Sequence, residues 1–334
     1  MSDRPDGLAP PPAEPRWNPP PEWAPPPARQ DVGVAPPVKA WPPAPPRRPR
    51  PALRLVEGRR PPLWVPLLLV AVIVGRAALT WLQGAQHPDI VIVLTQRVWV
   101  GELVGAAVVV GVVLVGRWWR SVGYVPRPGA GLAVRLIAVA EAVICLGLVA
   151  AAGAAQGVAP RWYAVLAVNV LAIGVLEETV FRGLLWASLP ARWPVSRVLL
   201  VTSLGFGALH VANGLVTGDW GAAVLQAIVV TPLGLWFGVV RLRTGWLGAS
   251  IGLHSLHDAA GAALATLTAS GVLSQRAAEH LDIPAGVLLA VLAFEAALVT
   301  VAVAGVVVWI RLMVDERRAK RAAAPPGTGV AALA

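Results

Sequence analysis

The chain has 334 residues, of which 56% are hydrophobic and only 14% are charged, and it carries a net charge of +10. Soluble domains contain about 25% charged residues, so this composition excludes both a soluble globular protein and a disordered one. The arginines cluster beside apolar runs, as they do at the cytoplasmic edges of membrane proteins, and this distribution does not favour a nucleic-acid partner.

The N-terminal region, residues 1–62, contains most of the 32 prolines, including the runs Pro10–Pro12 and Pro25–Pro27. Proline fixes φ and removes a backbone donor, so this region is predicted to be a disordered cytoplasmic tail with polyproline II character. It lacks the apolar segment of a secretory signal. A docking segment for a Pro-recognising partner is the alternative interpretation.

Eight apolar segments follow, each close to the roughly 20 residues that a helix needs to cross a bilayer. This predicts an all-α polytopic membrane protein of about eight transmembrane helices, with a membrane domain at 63–313 and a short basic cytoplasmic tail at 314–334. The second segment carries Arg97 and Glu102, so its true span is expected to be shorter. The predicted helices lie at 63–83, 89–116, 131–155, 162–188, 197–215, 220–240, 246–268 and 285–312.

The basic residues around these segments indicate the orientation of the chain. Arginines precede the first segment and follow the last, and they recur in every second loop. In the loops predicted to lie outside, the only Lys or Arg residues are Arg161 and Arg276. Both termini are therefore predicted to be cytoplasmic, and the protein is expected in a bacterial cell membrane. The inside loops carry Arg117, Arg120 and Arg127; Arg192 and Arg197; and Arg241 and Arg243.

Ionisable residues are costly inside a bilayer and mark function by default. In the fourth segment, Glu178 and Arg182 are four residues apart, which predicts an ion pair on one helix face. Glu177 points about 100° away and has no partner of its own on the helix. The alternative for the Glu178–Arg182 pair is a buried contact that only fixes helix packing.

The fifth and seventh segments carry histidines that could lie near the Glu177 carboxylate. Phe206 and His210 share one face of the fifth helix, and Asn213 follows one turn later. His254 and Asp258 are four residues apart on the seventh helix, a spacing that suits one ion or one water. A single histidine in a helix is more often a packed residue than a ligand, but the three helices together carry a stronger signal.

The depth of these residues supports a common site. At 1.5 Å per residue, Glu177 lies roughly 16 Å, His210 roughly 20 Å and His254 roughly 12 Å from the cytoplasmic ends of their helices. All three fall in a similar layer, somewhat nearer the cytoplasm. His257 lies one turn from His254 and is expected to support the same face.

This set of side chains is suited to hydrolysis by either of two mechanisms. In the first, His210, His254 and Asp258 hold a divalent metal, with zinc as the first choice and Glu177 as a further candidate ligand, and Glu177 takes a proton from water. In the second, Glu177 and His210 activate water without a metal, and the seventh-helix pair stabilises the oxyanion. No Ser or Cys is placed as a nucleophile.

The three motifs, in this order, resemble those of the CPBP family, the CAAX-protease and bacteriocin-processing intramembrane proteases. The resemblance covers about residues 160–265. It implies an eight-helix fold and peptide-bond hydrolysis inside the membrane, at a site open toward the cytoplasm. The motifs read Glu177-Glu178-x-x-x-Arg182, Phe206-x-x-x-His210 and His254-x-x-x-Asp258.

The resemblance also implies roles for individual residues. Glu177 becomes the water-activating base, with His210 as its partner or as a metal ligand. Glu178 and Arg182 become supporting residues, and the third motif supplies the oxyanion or metal pair. An ionised Asp258 cannot donate a hydrogen bond to an oxyanion, as an Asn could, and it therefore favours the metal mechanism.

The expected partners are the lipid bilayer and a membrane-embedded or membrane-associated peptide substrate. The eukaryotic relatives cleave prenylated proteins, which bacteria generally lack, so that substrate is not carried over. A non-proteolytic scaffold or bacteriocin-immunity-type protein of the same fold is the main alternative. A proton-coupled transporter is a further one, although the chain shows no matched pair of Gly/Pro-broken helices.

Overall fold

The computed structural model describes residues 58–84, 95–126, 131–269 and 283–323. All regular secondary structure in these ranges is helical, which confirms the predicted all-α class. The predicted Pro-rich tail up to residue 57, and the chain beyond residue 323, lie outside the described residues.

The helices agree with most of the predicted segments to within about four residues. In the second segment residues 97–99 are not helical and a helix begins at Val100, in line with the shorter span expected there. Residues 89–94 of this segment lie outside the described part of the chain. The described helices are α1 Trp64–Leu82, α2 Val100–Val115, α3 Trp119–Val122, α4 Leu132–Gln156, α5 Pro160–Glu178, α6 Trp186–Ser188, α7 Val195–Val211, α8 Asn213–Thr217, α9 Trp220–Thr244, α10 Leu247–Ala269 and α11 Ala285–Ala323, and a π-helix, Thr179–Leu185, joins α5 to α6.

Six helical segments of the described chain are long and apolar enough to cross a membrane: α1, α4, α5 through α6, α7 with α8, α9 and α11. The predicted count of eight is not confirmed. Helix α2 has only 16 residues, fewer than the roughly 20 that span a bilayer core. Helix α10 is not among the six, and it carries His254, His257 and Asp258.

The C-terminal helix differs from the predicted boundary. Helix α11 continues past residue 313 to Ala323, so the first part of the predicted basic tail is helical. Glu316 in this extension accepts a hydrogen bond from the backbone N–H of Ser196 at 3.1 Å and another from its hydroxyl. Trp309 donates from its indole nitrogen to the Ser196 carbonyl at 3.0 Å. These bonds fasten α11 to the first turn of α7.

The helices that carry the three motifs lie at the centre of the bundle. In the most apolar stretches, 56% of Pro160–Ser188 and 44% of Val195–Thr217 are buried, against 11% for Trp64–Leu82. Helix α9 packs on α7 and α11, and α10 packs against α4 and α5. A Cβ at Gly305 of α11 would approach the Trp236 backbone nitrogen to 2.8 Å, so glycine allows this close helix contact.

The outer helices present apolar side chains outward. Leu67, Leu68, Val72 and Leu79 of α1 are all more than half exposed, as lipid-facing residues of a spanning helix are. Together with the six long apolar segments, this surface identifies a multi-pass membrane protein. A groove of about 430 Å³ between α1 and α2 has an entirely apolar lining and contains none of the motif residues.

Candidate active site

The first motif lies where an α-helix changes to a π-helix. The π-helix Thr179–Leu185 begins directly after Glu178 and all seven of its residues are buried. Such segments within longer α-helices are frequent at functional sites, because the wider turn re-aims the side chains next to it. The Tyr124 hydroxyl, in the loop before α4, lies 2.7 Å from the Thr179 hydroxyl. Burial raises the pKa of Tyr124, which keeps its phenol protonated.

Glu178 is a fully buried hub that accepts hydrogen bonds from three side chains. Arg182 donates from Nη1 at 2.7 Å, which confirms the ion pair predicted from the sequence. The Ser250 hydroxyl donates to Oε2, and Nδ1 of His254 lies 3.0 Å from Oε1. Both Glu178 and Arg182 have 0% exposed side chains. A buried carboxylate needs this degree of compensation, because desolvation is otherwise costly.

Arg182 is held from the other side by aromatic rings. Its guanidinium carbon lies 4.1 Å from the centroid of Phe206 and 5.8 Å from that of Phe237, both within the range of cation–π attraction. Gly234 leaves room for the guanidinium, since a Cβ there would come within 2.7 Å of Arg182 Nη2. The second-motif Phe206 therefore supports the first motif directly.

His254 links the buried hub to two more accessible carboxylates. A carboxylate that already accepts other hydrogen bonds can only accept from the imidazole, so Nδ1 of His254 carries the proton toward Glu178. Its Nε2 atom lies 3.8 Å from Glu177 Oε2 and 3.5 Å from Asp258 Oδ2. The side chains of Glu177 and Asp258 are 18% and 31% exposed, against 0% for Glu178. Glu177, Asp258 and the second nitrogen of His254 thus form the side of the site away from Glu178.

His210 adopts the same tautomer by a different contact. Its Nδ1 lies 2.9 Å from the Phe206 backbone carbonyl, which can only accept, so the remaining Nε2 has no proton in the neutral ring. The His210 ring packs edge-on against Phe206, with 4.7 Å between centroids, and Phe206 also contacts His254 at 5.5 Å. Phe206 is therefore the common neighbour through which the three motifs meet.

The two supporting candidates bond to other parts of the bundle. Asn213 donates a hydrogen bond to Gln226 of α9 at 2.9 Å. His257 places its Nδ1 atom 3.3 Å from Glu141 of α4. In the described structure neither contact involves a residue of the three motifs. Their expected support of the site therefore stays a prediction.

Two residues of the site were not predicted from the sequence. Ser250 lies four residues before His254 on the same helix face, so its spacing could have indicated it. Phe237 stacks almost parallel to the His254 ring, with centroids 4.9 Å apart and an interplanar angle of 17°. Its apolar sequence surroundings carry no signal of this role.

The donor atoms suit a metal, but they are not gathered into a cage. Among the described residues, no group of three or more His, Cys, Asp or Glu side chains is arranged to hold an ion. The donor types are nevertheless those that zinc takes: two imidazole Nε2 atoms, from His210 and His254, and the carboxylates of Glu177 and Asp258. The carboxylate of Glu178 behind His254 matches the outer partner that metal-binding histidines usually have.

Comparison with known proteins agrees with the motif pattern. Residues 159–260 match the family model described as Rce1-like, type II CAAX prenyl endopeptidase Rce1-like. The matched segment runs from the start of α5 into α10 and contains all three motifs, which confirms the resemblance to the CPBP proteases. It supports a CAAX-protease-like hydrolase. Comparisons with curated proteins and with solved structures gave no match.

Proposed function

We propose that this membrane protein, with its Rce1-like central segment, is an intramembrane endopeptidase in which Glu177 activates water to hydrolyse a peptide bond. The proposal rests on the different environments of two neighbouring carboxylates, Glu177 and Glu178. Glu178 is sealed in and bound by three donors, while Oε2 of Glu177 accepts no hydrogen bond from the described residues and lies 3.8 Å from His254. A reactive base needs an unoccupied oxygen near the reacting atoms.

The chemistry follows from these positions. Glu177 takes a proton from a water molecule as the water oxygen attacks the scissile carbonyl carbon, and it returns that proton to the departing amine nitrogen. Nε2 of His254 faces the same space. Without a bound cation, a protonated imidazole there would donate to the developing oxyanion, whereas with a cation the same nitrogen would be an unprotonated ligand. The Glu178 carboxylate stabilises that protonated ring through Nδ1, in the manner of other oriented histidines.

A divalent cation, zinc by preference, is a further part of the proposal. The donors that would hold it are His210, His254 and Asp258, with Glu177 as a fourth candidate. When bound, such an ion supplies Lewis-acid polarisation of a carbonyl or a water. Chelation and metal analysis test this part separately from proteolysis.

The proposed setting is a bacterial cell membrane with both termini in the cytoplasm and the site facing that side. The basic flanks support this orientation, since Arg192 and Arg197 lie exposed beside the first turn of α7 and the end of α11 is rich in Lys and Arg. The proposed substrate is a membrane-embedded or membrane-associated peptide.

The test compares peptide termini, by mass spectrometry, in membranes of a deletion strain complemented with wild type, Glu177→Gln or Glu295→Gln. Glu295 is an exposed carboxylate on α11 and serves as the matched control. New termini with wild type and the control, but not with Glu177→Gln, are the expected result. Identical termini, with every version restoring the same phenotype, would instead support a non-proteolytic scaffold of the same fold.

A further inference from the structure

A second buried carboxylate lies next to the site, outside the three motifs and the matched segment. Glu141 of α4 is only 2% exposed. Its Oε2 accepts a hydrogen bond from the Trp236 indole N–H at 2.7 Å, and its Oε1 lies 3.3 Å from Nδ1 of His257. Glu141 therefore joins α4 to both α9 and α10 through polar contacts in a region where such contacts are rare.

Both partners of Glu141 are neighbours of Phe237, whose ring stacks on that of His254. Trp236 is fully buried and directly precedes Phe237, which stacks on His254 at 4.9 Å. His257 packs edge-on against the same Phe237 ring, with centroids 6.2 Å apart. The Phe237 ring is thus in contact with His254 and with His257, and Trp236 is its neighbour in the chain.

We propose that Glu141 is a positioning residue for the hydrolytic site, which fixes the Phe237 ring, and through it the His254 imidazole, by bonding Trp236 and His257. The role of His254 in catalysis rests on the proposed function, whereas the positioning of its ring does not. Packing alone would be served by an apolar side chain at this depth, and a carboxylate there is costly unless its bonds are used. Glu178 sets the plane of the His254 ring through Nδ1, and Phe237 supports the face of that ring.

The positioning is testable through the imidazole resonances of the five histidines. The full chain, labelled with ¹⁵N-histidine and purified in detergent, is compared as wild type, Glu141→Leu, Glu141→Gln and Glu295→Leu, with signals assigned by single His→Gln variants. Leu removes both acceptors, whereas Gln keeps one acceptor and gains a donor. We expect Glu141→Leu to move the His254 signal as well as that of His257, and Glu141→Gln to restore much of the wild-type position.

Two further variants separate positioning from a general loss of structure. Trp236→Phe removes the indole N–H together with part of the buried ring system, but it leaves the contact between Glu141 and His257 in place. It is expected to move the His254 signal in the same direction as Glu141→Leu. In a Phe237→Leu background, adding Glu141→Leu should move His254 no further, because the connecting ring is already gone. Glu295→Leu should leave both signals in place.

The proposal is overturned if folded Glu141→Leu or Trp236→Phe protein shows a displaced His257 signal and an unchanged His254 signal. Proteolysis is followed in parallel, as the yield of wild-type-specific termini in membranes. We expect Glu141→Leu to lower that yield by about tenfold, the low end of the range known for outer partners of metal-binding histidines. A displaced His254 signal in a protein that shows no proteolysis even as wild type would keep the positioning role and reject the proposed function.

Discussion

Nδ1 of His254 lies 3.0 Å from Oε1 of Glu178, and this contact aims the opposite nitrogen of the ring at Glu177. Two adjacent glutamates therefore serve one histidine from different sides. Glu178 is committed to Arg182 and Ser250 as well, and has no exposed surface. The Glu177 side chain retains 18% exposure, and its buried Oε2 atom accepts no hydrogen bond from the described residues.

The first prediction concerns the two glutamates separately. Glu177→Gln should lower proteolysis by about 10²- to 10⁴-fold, the range of a lost general base, because the amide cannot take a proton from water. It should leave the unfolding temperature in detergent nearly unchanged, because no described hydrogen bond to Oε2 is lost. The checks are the yield of new termini and thermal unfolding, with Glu295→Gln as the control. Full activity in Glu177→Gln would remove Glu177 from the mechanism.

The second prediction concerns the buried ion pair between Arg182 and Glu178. Arg182→Ala leaves Glu178 fully buried with only Ser250 and His254 as partners, and it also empties the space over the Phe206 ring. Breaking a buried ion pair from one side costs about 3–5 kcal/mol. We expect a marked drop in unfolding temperature, followed by intrinsic tryptophan fluorescence in detergent. Arg197→Ala is the comparison, since that arginine is exposed on the surface of α7 and should cost little. Equal effects of the two changes would contradict the hub.

The sequence was sufficient to predict what depends on local periodicity. Hydrophobic segment length placed most helices within a turn, and the four-residue spacing of Glu178 and Arg182 predicted their ion pair. The second predicted segment ran through residues 97–99, which are not helical, because apolar composition alone does not show where a helix begins. Helix α11 also passed its predicted end, since the bonds of Glu316 to Ser196 reach between residues 120 positions apart.

The contacts between helices that shape the site could not be predicted from local sequence patterns. Phe237 stacks on His254 only because α9 and α10 pack together, and nothing in its apolar neighbourhood indicates this. The position of Glu141 in an apolar segment says nothing of its partner Trp236, which is 95 residues away. The π-helix after Glu178 likewise depends on the buried packing around it.

Ser250 and Ser255 form a matched pair for a further prediction. Both are buried on α10, but Ser250 donates to Glu178, whereas Ser255 donates to the carbonyl of Ile251 on its own helix. Ser250→Ala removes one of the three donors of a buried carboxylate, which costs about 1–3 kcal/mol. We expect it to lower the unfolding temperature and the proteolytic yield, while Ser255→Ala changes both much less. The result that would refute this is a larger loss for Ser255→Ala.

Gly234 provides a steric test of the same hub. A methyl group there would come within 2.7 Å of Arg182 Nη2 and 3.2 Å of Phe206. We expect Gly234→Ala to displace the guanidinium and to lower activity together with stability. Gly252, which has open space around its Cβ position on α10, is the control for adding a methyl group to a membrane helix. Similar behaviour of Gly234→Ala and Gly252→Ala, measured by thermal unfolding, would show that the space around Arg182 is not critical.

Asp258 separates the two hydrolytic mechanisms. Its carboxylate lies 3.5 Å from Nε2 of the buried His254 ring, and the Asp258 side chain is 31% exposed. Under the proposed zinc mechanism, Asp258→Asn should lower zinc content and activity, because a neutral amide is a poorer ligand than a carboxylate, and excess zinc should restore part of the activity. Elemental analysis of purified protein and assays with and without a chelator measure both quantities. Asp315→Asn, an exposed carboxylate on α11, should change neither.

A mechanism without metal predicts the opposite result for Asp258→Asn. In a mechanism without metal, an amide at position 258 can donate a hydrogen bond to the oxyanion, which an ionised Asp cannot do. Asp258→Asn would then keep or exceed wild-type activity, and a chelator would affect neither protein. Wild-type protein that stays active after chelation and contains no bound metal would reject zinc, and the base role of Glu177 would remain, since its proton transfer does not depend on an ion.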